Sequence, residues 1–87
     1  MKVEVKPHAG FKSRLGGERK VDLANGATAG DLLKALPHAG EVLFEGSGLK
    51  EDVNILVNGQ NIDNLDGLKT RLNDGDAVVI FAAAIGG

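Results

Sequence analysis

The chain has 87 residues, with ten Lys and Arg against twelve Asp and Glu, two His and no Cys. That length allows one small core and no catalytic cleft between lobes, and a formal charge of −2, with no stretch interleaving basic and aromatic residues, argues against nucleic acid as a class of partner. The absence of cysteine excludes disulfides, thiolate metal sites and a thiol nucleophile, while the lack of a spanning-length apolar run or apolar signal segment points to the cytoplasm, without a membrane partner.

In chain order, Val3 and Val5 alternate with Lys2, Glu4 and Lys6, the period-two pattern of a half-buried strand, which Pro7 and Gly10 interrupt. The stretch "GFKSRLGGER" reads as the loose loop of a hairpin, because Val21 and Leu23 then resume the alternation against Lys20 and Asp22. After Asn25-Gly26 comes "TAGDLLKALP", where Thr28 is a cap, Asp31 holds the capping-box position and Ala29, Leu32, Leu33 and Leu36 fall on one helical face. The spacing predicts an amphipathic helix of about nine residues, ended by Pro37.

Residues 38–52 hold the apolar cluster Val42, Leu43 and Phe44 between glycines, and without sustained periodicity they read as a connection. Val53, Ile55 and Val57 then define a strand that ends in the Asn58-Gly59 turn signal and restarts toward Ile62. In "DNLDGLKTRLNDGD", Leu65, Leu68 and Leu72 recur near helical spacing, but Gly67 and the polar "NDGD" favour a one-turn helix or an ordered loop. From about Ala77, "AVVIFA" is apolar at every position, as a strand covered on both faces would be.

This order predicts an α+β domain in which one mixed sheet of four to five strands shares a core with one main helix. A single short helix covers only one face, so one of the pairs Val78/Ile80 and Val79/Phe81 must point outward, and Leu56, out of phase with its strand, extends that outer surface. Such a patch is a candidate docking surface unless the 38–52 segment folds over it. His8 and His38 are isolated in sequence and receive no role. Asn73, Asp74 and Asp76 lack the spacing of a calcium loop and fit turn and cap positions, so no metal site and no catalytic residue is assigned.

Four features sit together in "VNILVNGQNIDNLDGLKTRLNDGDAVVIFAAAIGG": the strand ending in Val-Asn-Gly, the Leu-Asp-Gly-Leu, the Asp-Gly-Asp before an apolar strand with Phe, and the Gly86-Gly87 end. This half resembles the MoaD and ThiS group of ubiquitin-like sulfur carriers, and "ATAGDLLKAL" sits where that family has its helix. The resemblance implies a β-grasp fold over residues 1–87 and a terminal Gly87 carboxylate that a ubiquitin-activating-like adenylyltransferase of the MoeB or ThiF type joins to AMP and that is then converted to a thiocarboxylate. ATP is used by that partner, and the chain itself needs no cofactor. Residues without a β-carbon suit threading into a narrow channel, which fits Gly86 and Gly87.

The docking residues expected are Phe81, Val79, Ile85 and Leu56. Onward partners are the molybdopterin synthase large subunit of the MoaE type or, if the chain is a protein modifier like the small archaeal modifiers, lysines of target proteins; a non-covalent interaction module is the third reading. Many relatives carry two prolines after the last-strand Phe, where this chain has Ala82 and Ala83. Alanine leaves φ unfixed, so a looser tail is expected from about Ala83 to Gly87, and Ala83→Pro is expected to tighten its insertion.

Overall fold

Strand alternation decides which face of the sheet is inside. In the computed structural model, which describes residues 1–82, β1 (Lys2–Pro7) buries Val3, Val5 and Pro7 and turns Lys2, Glu4 and Lys6 outward. The expectations for Ala83, Ile85, Gly86 and Gly87 lie outside the described residues. β2 (Arg19–Asp22) pairs antiparallel with β1, Val3 opposite Val21. On the other side of β1 runs β7 (Ala77–Ala82), parallel, with Val5 opposite Val78 and Pro7 opposite Ile80. β5 (Val53–Val57) pairs antiparallel with β7 and, on its far side, with the two residues of β6 (Gln60–Asn61). The order β2-β1-β7-β5-β6 puts the all-apolar strand in the centre, as its sequence implied. Asn58 and Gly59 both take positive φ, 50° and 86°, the backbone of the two-residue hairpin turn that Asn-Gly favours.

One apolar core occupies the inner face. Val3, Val5, Ile55, Val78 and Ile80 meet Leu32, Leu33 and Leu36 from the chain that follows β2. There, α2 (Ala29–Lys34) starts on a complete capping box: the Asp31 N–H donates to Thr28 Oγ1 at 3.2 Å and the Thr28 N–H donates to Asp31 Oδ2 at 2.9 Å. The helix is shorter than the periodicity suggests, six residues closed by Ala35, yet Leu36 stays buried. Gly30 marks a close approach, since a Cβ there would stand 3.1 Å from the Leu68 carbonyl oxygen.

Thr28→Ala should cost about 1 kcal/mol in denaturant unfolding, the usual scale for a lost N-cap. The Thr28 N–H on its carboxylate, and after it the Thr28 side chain, hold the Asp31 carboxyl below its ordinary range. A depressed carboxylate stabilises the fold above its unfolded pKa and stops doing so as pH falls through the folded value. Because alanine keeps the backbone N–H of residue 28, Thr28→Ala should remove only the side-chain part of this effect and lessen the acid-side loss of stability slightly, readable in melts across the acid range.

Two segments carry more structure than the sequence suggested. The stretch after β1 is a helix, α1 (Gly10–Leu15), with Phe11 and Leu15 buried four residues apart. Its N-cap, Ala9, has no side-chain cap and takes φ 50° with ψ −128°. The 38–52 connection holds α3 (Ala39–Val42) and a small hairpin, β3 (Phe44–Glu45) with β4 (Gly48–Leu49). Ala39, Val42 and Leu43 join the core beside α1 and α2, so the segment packs on the helical side and does not fold over the outer face. Among the described residues, one main helix thus becomes three short α-helices. The later one-turn-helix expectation holds twice, in 3₁₀ turns at Ile62–Asn64 and Gly67–Lys69.

Candidate functional site

Because one parity of β7 faces the core, the other must face away. Val78 and Ile80 are fully buried, whereas Val79 and Phe81 are half-buried on the outer face. Across the strand pair, Leu56 stands opposite Val79 and Asn54 opposite Phe81. Leu56 is likewise half-buried, so Leu56, Val79 and Phe81 form one apolar patch on the outer side of the central strands. The structure brings together three of the four docking residues read from the sequence, and Ile85 lies outside the described residues.

The flanks of the patch are polar. On the β1 side Lys6 is opposite Val79 and is held by Glu4 at 3.0 Å. The hydrogen bond and charge of Glu4, helped by Glu18, raise the Lys6 pKa. On the β5 side the Asn61 carboxamide Nδ2 donates to Asn54 Oδ1 at 3.1 Å. Asn58 closes the far end of β7: its Oδ1 accepts from the Ala77 N–H at 3.0 Å and its Nδ2 donates to Asp76 at 2.9 Å.

The remaining polar candidates have local partners. Asp76 accepts from the Asn73 N–H at 2.8 Å and Asp74 from the Lys2 N–H at 2.7 Å, which gives the "NDGD" acids loop-fixing roles. The hydroxyls of Ser13, Thr28 and Thr70 are engaged by nearby backbone groups. Among the described residues no group of three His, Asp or Glu is placed to hold a metal ion, and no helix is long and apolar enough to cross a membrane. What the arrangement offers is an apolar surface with polar margins, on the strand from whose end the sequence continues to Gly86-Gly87.

Sequence reasoning missed a cleft at that end of the strand. His8, Arg14, Asp52 and Ala82 line a hollow of about 110 Å³ together with Ala9, Gly10 and Phe11. These residues come from the β1–α1 corner, the start of β5 and the end of β7, and no spacing rule links them. The positive φ at Ala9 belongs to the same corner, and so does the bond from the His8 N–H to the Ile80 carbonyl at 2.9 Å. His38, by contrast, is the left-handed N-cap of α3.

The family model for the ThiS family matches residues 9–87. This chain belongs to the ThiS family. The family comprises sulfur carriers and ubiquitin-like modifiers of β-grasp fold, and the expected fold holds. Among relatives of this ThiS-family chain, small archaeal modifier protein 3 of Haloferax volcanii is 37% identical over 95 residues, covering 100% of both chains. A putative molybdopterin converting factor, subunit 1, from Pyrococcus furiosus has TM-score 0.76 at 32% identity, over 97% of this chain and 99% of the other. A chain of the BexX/CysO complex from Amycolatopsis orientalis has TM-score 0.74 at 28% identity, over 98% and 99%.

Proposed function

We propose that this ThiS-family chain carries sulfur on Gly87. In this reading the Gly87 carboxylate attacks the α-phosphorus of ATP in an adenylyltransferase of the MoeB or ThiF type. Pyrophosphate leaves, and a donor at the sulfide level then displaces AMP to give the thiocarboxylate. The acyl phosphate link makes a poor electrophile reactive, and AMP is the leaving group in the second step. The sulfur is delivered to molybdopterin synthesis through a large subunit of the MoaE type, or to a related thiolation. The chain acts as carrier and substrate, with the catalytic groups supplied by its partners.

The observation that carries this reading is the outward patch of Leu56, Val79 and Phe81, which leads along β7 toward the Gly-Gly end of the sequence. A surface of that kind holds the domain while the tail reacts elsewhere in the partner. The likeness to a putative molybdopterin converting factor subunit supports molybdopterin synthesis as the destination. A second reading is conjugation, in which a lysine amine of a target protein attacks the acyl-adenylate, AMP leaves, the amine loses a proton, and an isopeptide bond forms. It is favoured by the likeness to a small archaeal modifier protein over the full chain.

Mass spectrometry of the chain after incubation with the adenylyltransferase, ATP and a sulfide donor tests both readings. Exchange of one terminal oxygen for sulfur supports the carrier, and, with target proteins present, a tryptic remnant of residues 72–87 joined to their lysines supports the modifier. If intact mass shows neither, and no pyrophosphate is released, both are wrong.

A further inference from the structure

The cleft at the end of β7 is electrically two-sided. Its first wall comes from the N-terminal part of the chain, where residues 1–20 hold six basic side chains against two acids, while the rest holds four against ten. Arg14 and His8 stand on that wall. The opposite wall is Asp52, beside Val53, which pairs with Ala82. Behind it the acid character continues: Glu45, Glu51 and Asp52 line the adjoining hollow with Lys50, and the Lys50 ammonium is turned to the Glu41 carbonyl at 2.6 Å.

Arg14 and Asp52 both line the cleft and form no ion pair with each other. The ion pair among the described residues is Lys6 with Glu4, and both Arg14 and Asp52 are exposed. An apolar patch holds a partner without fixing its rotation, since burial of apolar area is non-directional. Opposite charges on two sides of a contact do fix it, because a rotated partner meets like charges. The residue between the walls, Ala82, is the last of β7, and the sequence continues from it to Gly87, so a contact here sets rotation at the point where β7 ends.

We infer that Arg14 and Asp52 form a charge frame around the root of the tail, and that the tail-receiving adenylyltransferase presents a carboxylate to Arg14 and a cationic side chain to Asp52. The frame selects the one rotation that aims the tail at the nucleotide. This assignment rests on the proposed function, since it needs an enzyme that receives the tail.

Steady-state adenylation with the full chain tests it, using Arg14→Glu and Asp52→Lys. Lys2→Glu and Asp22→Lys, a facing pair at the far end of β1 and β2, are the matched controls. Each tail-root reversal should raise KM for the chain roughly tenfold with kcat retained, a scale set by measured charge effects on association, and each control should change it less than about twofold. The two reversals alter net charge in opposite directions. If attraction by net charge were the whole effect, one would improve KM and the other worsen it, and that result overturns the frame. Equal effects from tail-root and far-end reversals overturn it as well. If instead the pair joins two copies of this chain, the reversals change sedimentation of the chain alone, which also overturns the assignment. A wild-type chain that is never adenylated sinks the proposed function and the frame together, whereas normal wild-type adenylation with insensitive reversals sinks the frame alone.

Discussion

A variant with one residue added after Gly87 should keep its fold and lose adenylation altogether. Each added residue moves the carboxylate by up to about 3.5 Å, and misplacement of a reacting atom by 1 Å already costs on the order of a hundredfold in rate. The added residue also brings a β-carbon to a position where the sequence has only glycine, unless glycine itself is added. Extension by a single glycine therefore separates reach from bulk. Pyrophosphate release reads the reaction, and a thermal melt coincident with wild type reads the fold. An extended chain that is adenylated at the wild-type rate would remove the basis of both the carrier and the modifier readings.

Neighbouring residues of β7 should respond to alanine in opposite ways. Ile80 is fully buried against the helices, so Ile80→Ala should destabilise the fold by about 2–5 kcal/mol, the lost transfer energy plus the cavity. Against a total of roughly 5–15 kcal/mol for a domain, that is a large fraction. Phe81 is half-buried on the outer face, so Phe81→Ala should lose less stability. Its main cost should fall on binding to the adenylyltransferase, about 1–3 kcal/mol as for an aromatic at the centre of an interface. Denaturant unfolding and titration calorimetry on the two variants give the comparison. A Phe81→Ala variant that melts like Ile80→Ala, or binds like wild type, would mean that the outer parity is structural and the docking face lies elsewhere.

The features legible in the sequence were those enforced by local rules. Val3 and Val5, the Thr28–Asp31 capping box, the Asn58-Gly59 turn and the double-apolar β7 each carry their signal within a few residues, and each appears where its pattern placed it. The parity argument also held, since only one of two apolar pairs can meet the helices. α1 escaped because its signal is only Phe11 and Leu15 between glycines, with an N-cap, Ala9, that offers no side-chain bond and an unusual backbone. α3 is a four-residue helix begun by a left-handed histidine, too short for periodicity to show; tertiary burial of Val42 and Leu43 holds it in place. The tail-root cleft was illegible for a different reason. Residues 8, 14, 52 and 82 meet only once the sheet has formed, and each alone looks like an ordinary surface residue.

The parallel pairing of β1 with β7 joins Glu4 to Ala77 and Pro7 to Ile80, more than seventy positions apart along the chain. Closing so long a loop has an entropic cost that local helices do not share, and topologies dominated by distant pairs fold slowly. During synthesis β1 is made first and waits beside an empty place until β7 has been made. α2 and the β5–β6 hairpin can form earlier, but the middle of the sheet cannot. A nascent chain halted before β7 exposes Val3 and Val5 with nothing to cover their edge, a target for proteases and aggregation. β7 is thus both the last strand made among the described residues and the one that fills the centre of the sheet, so the sheet can close only once β7 has left the ribosome.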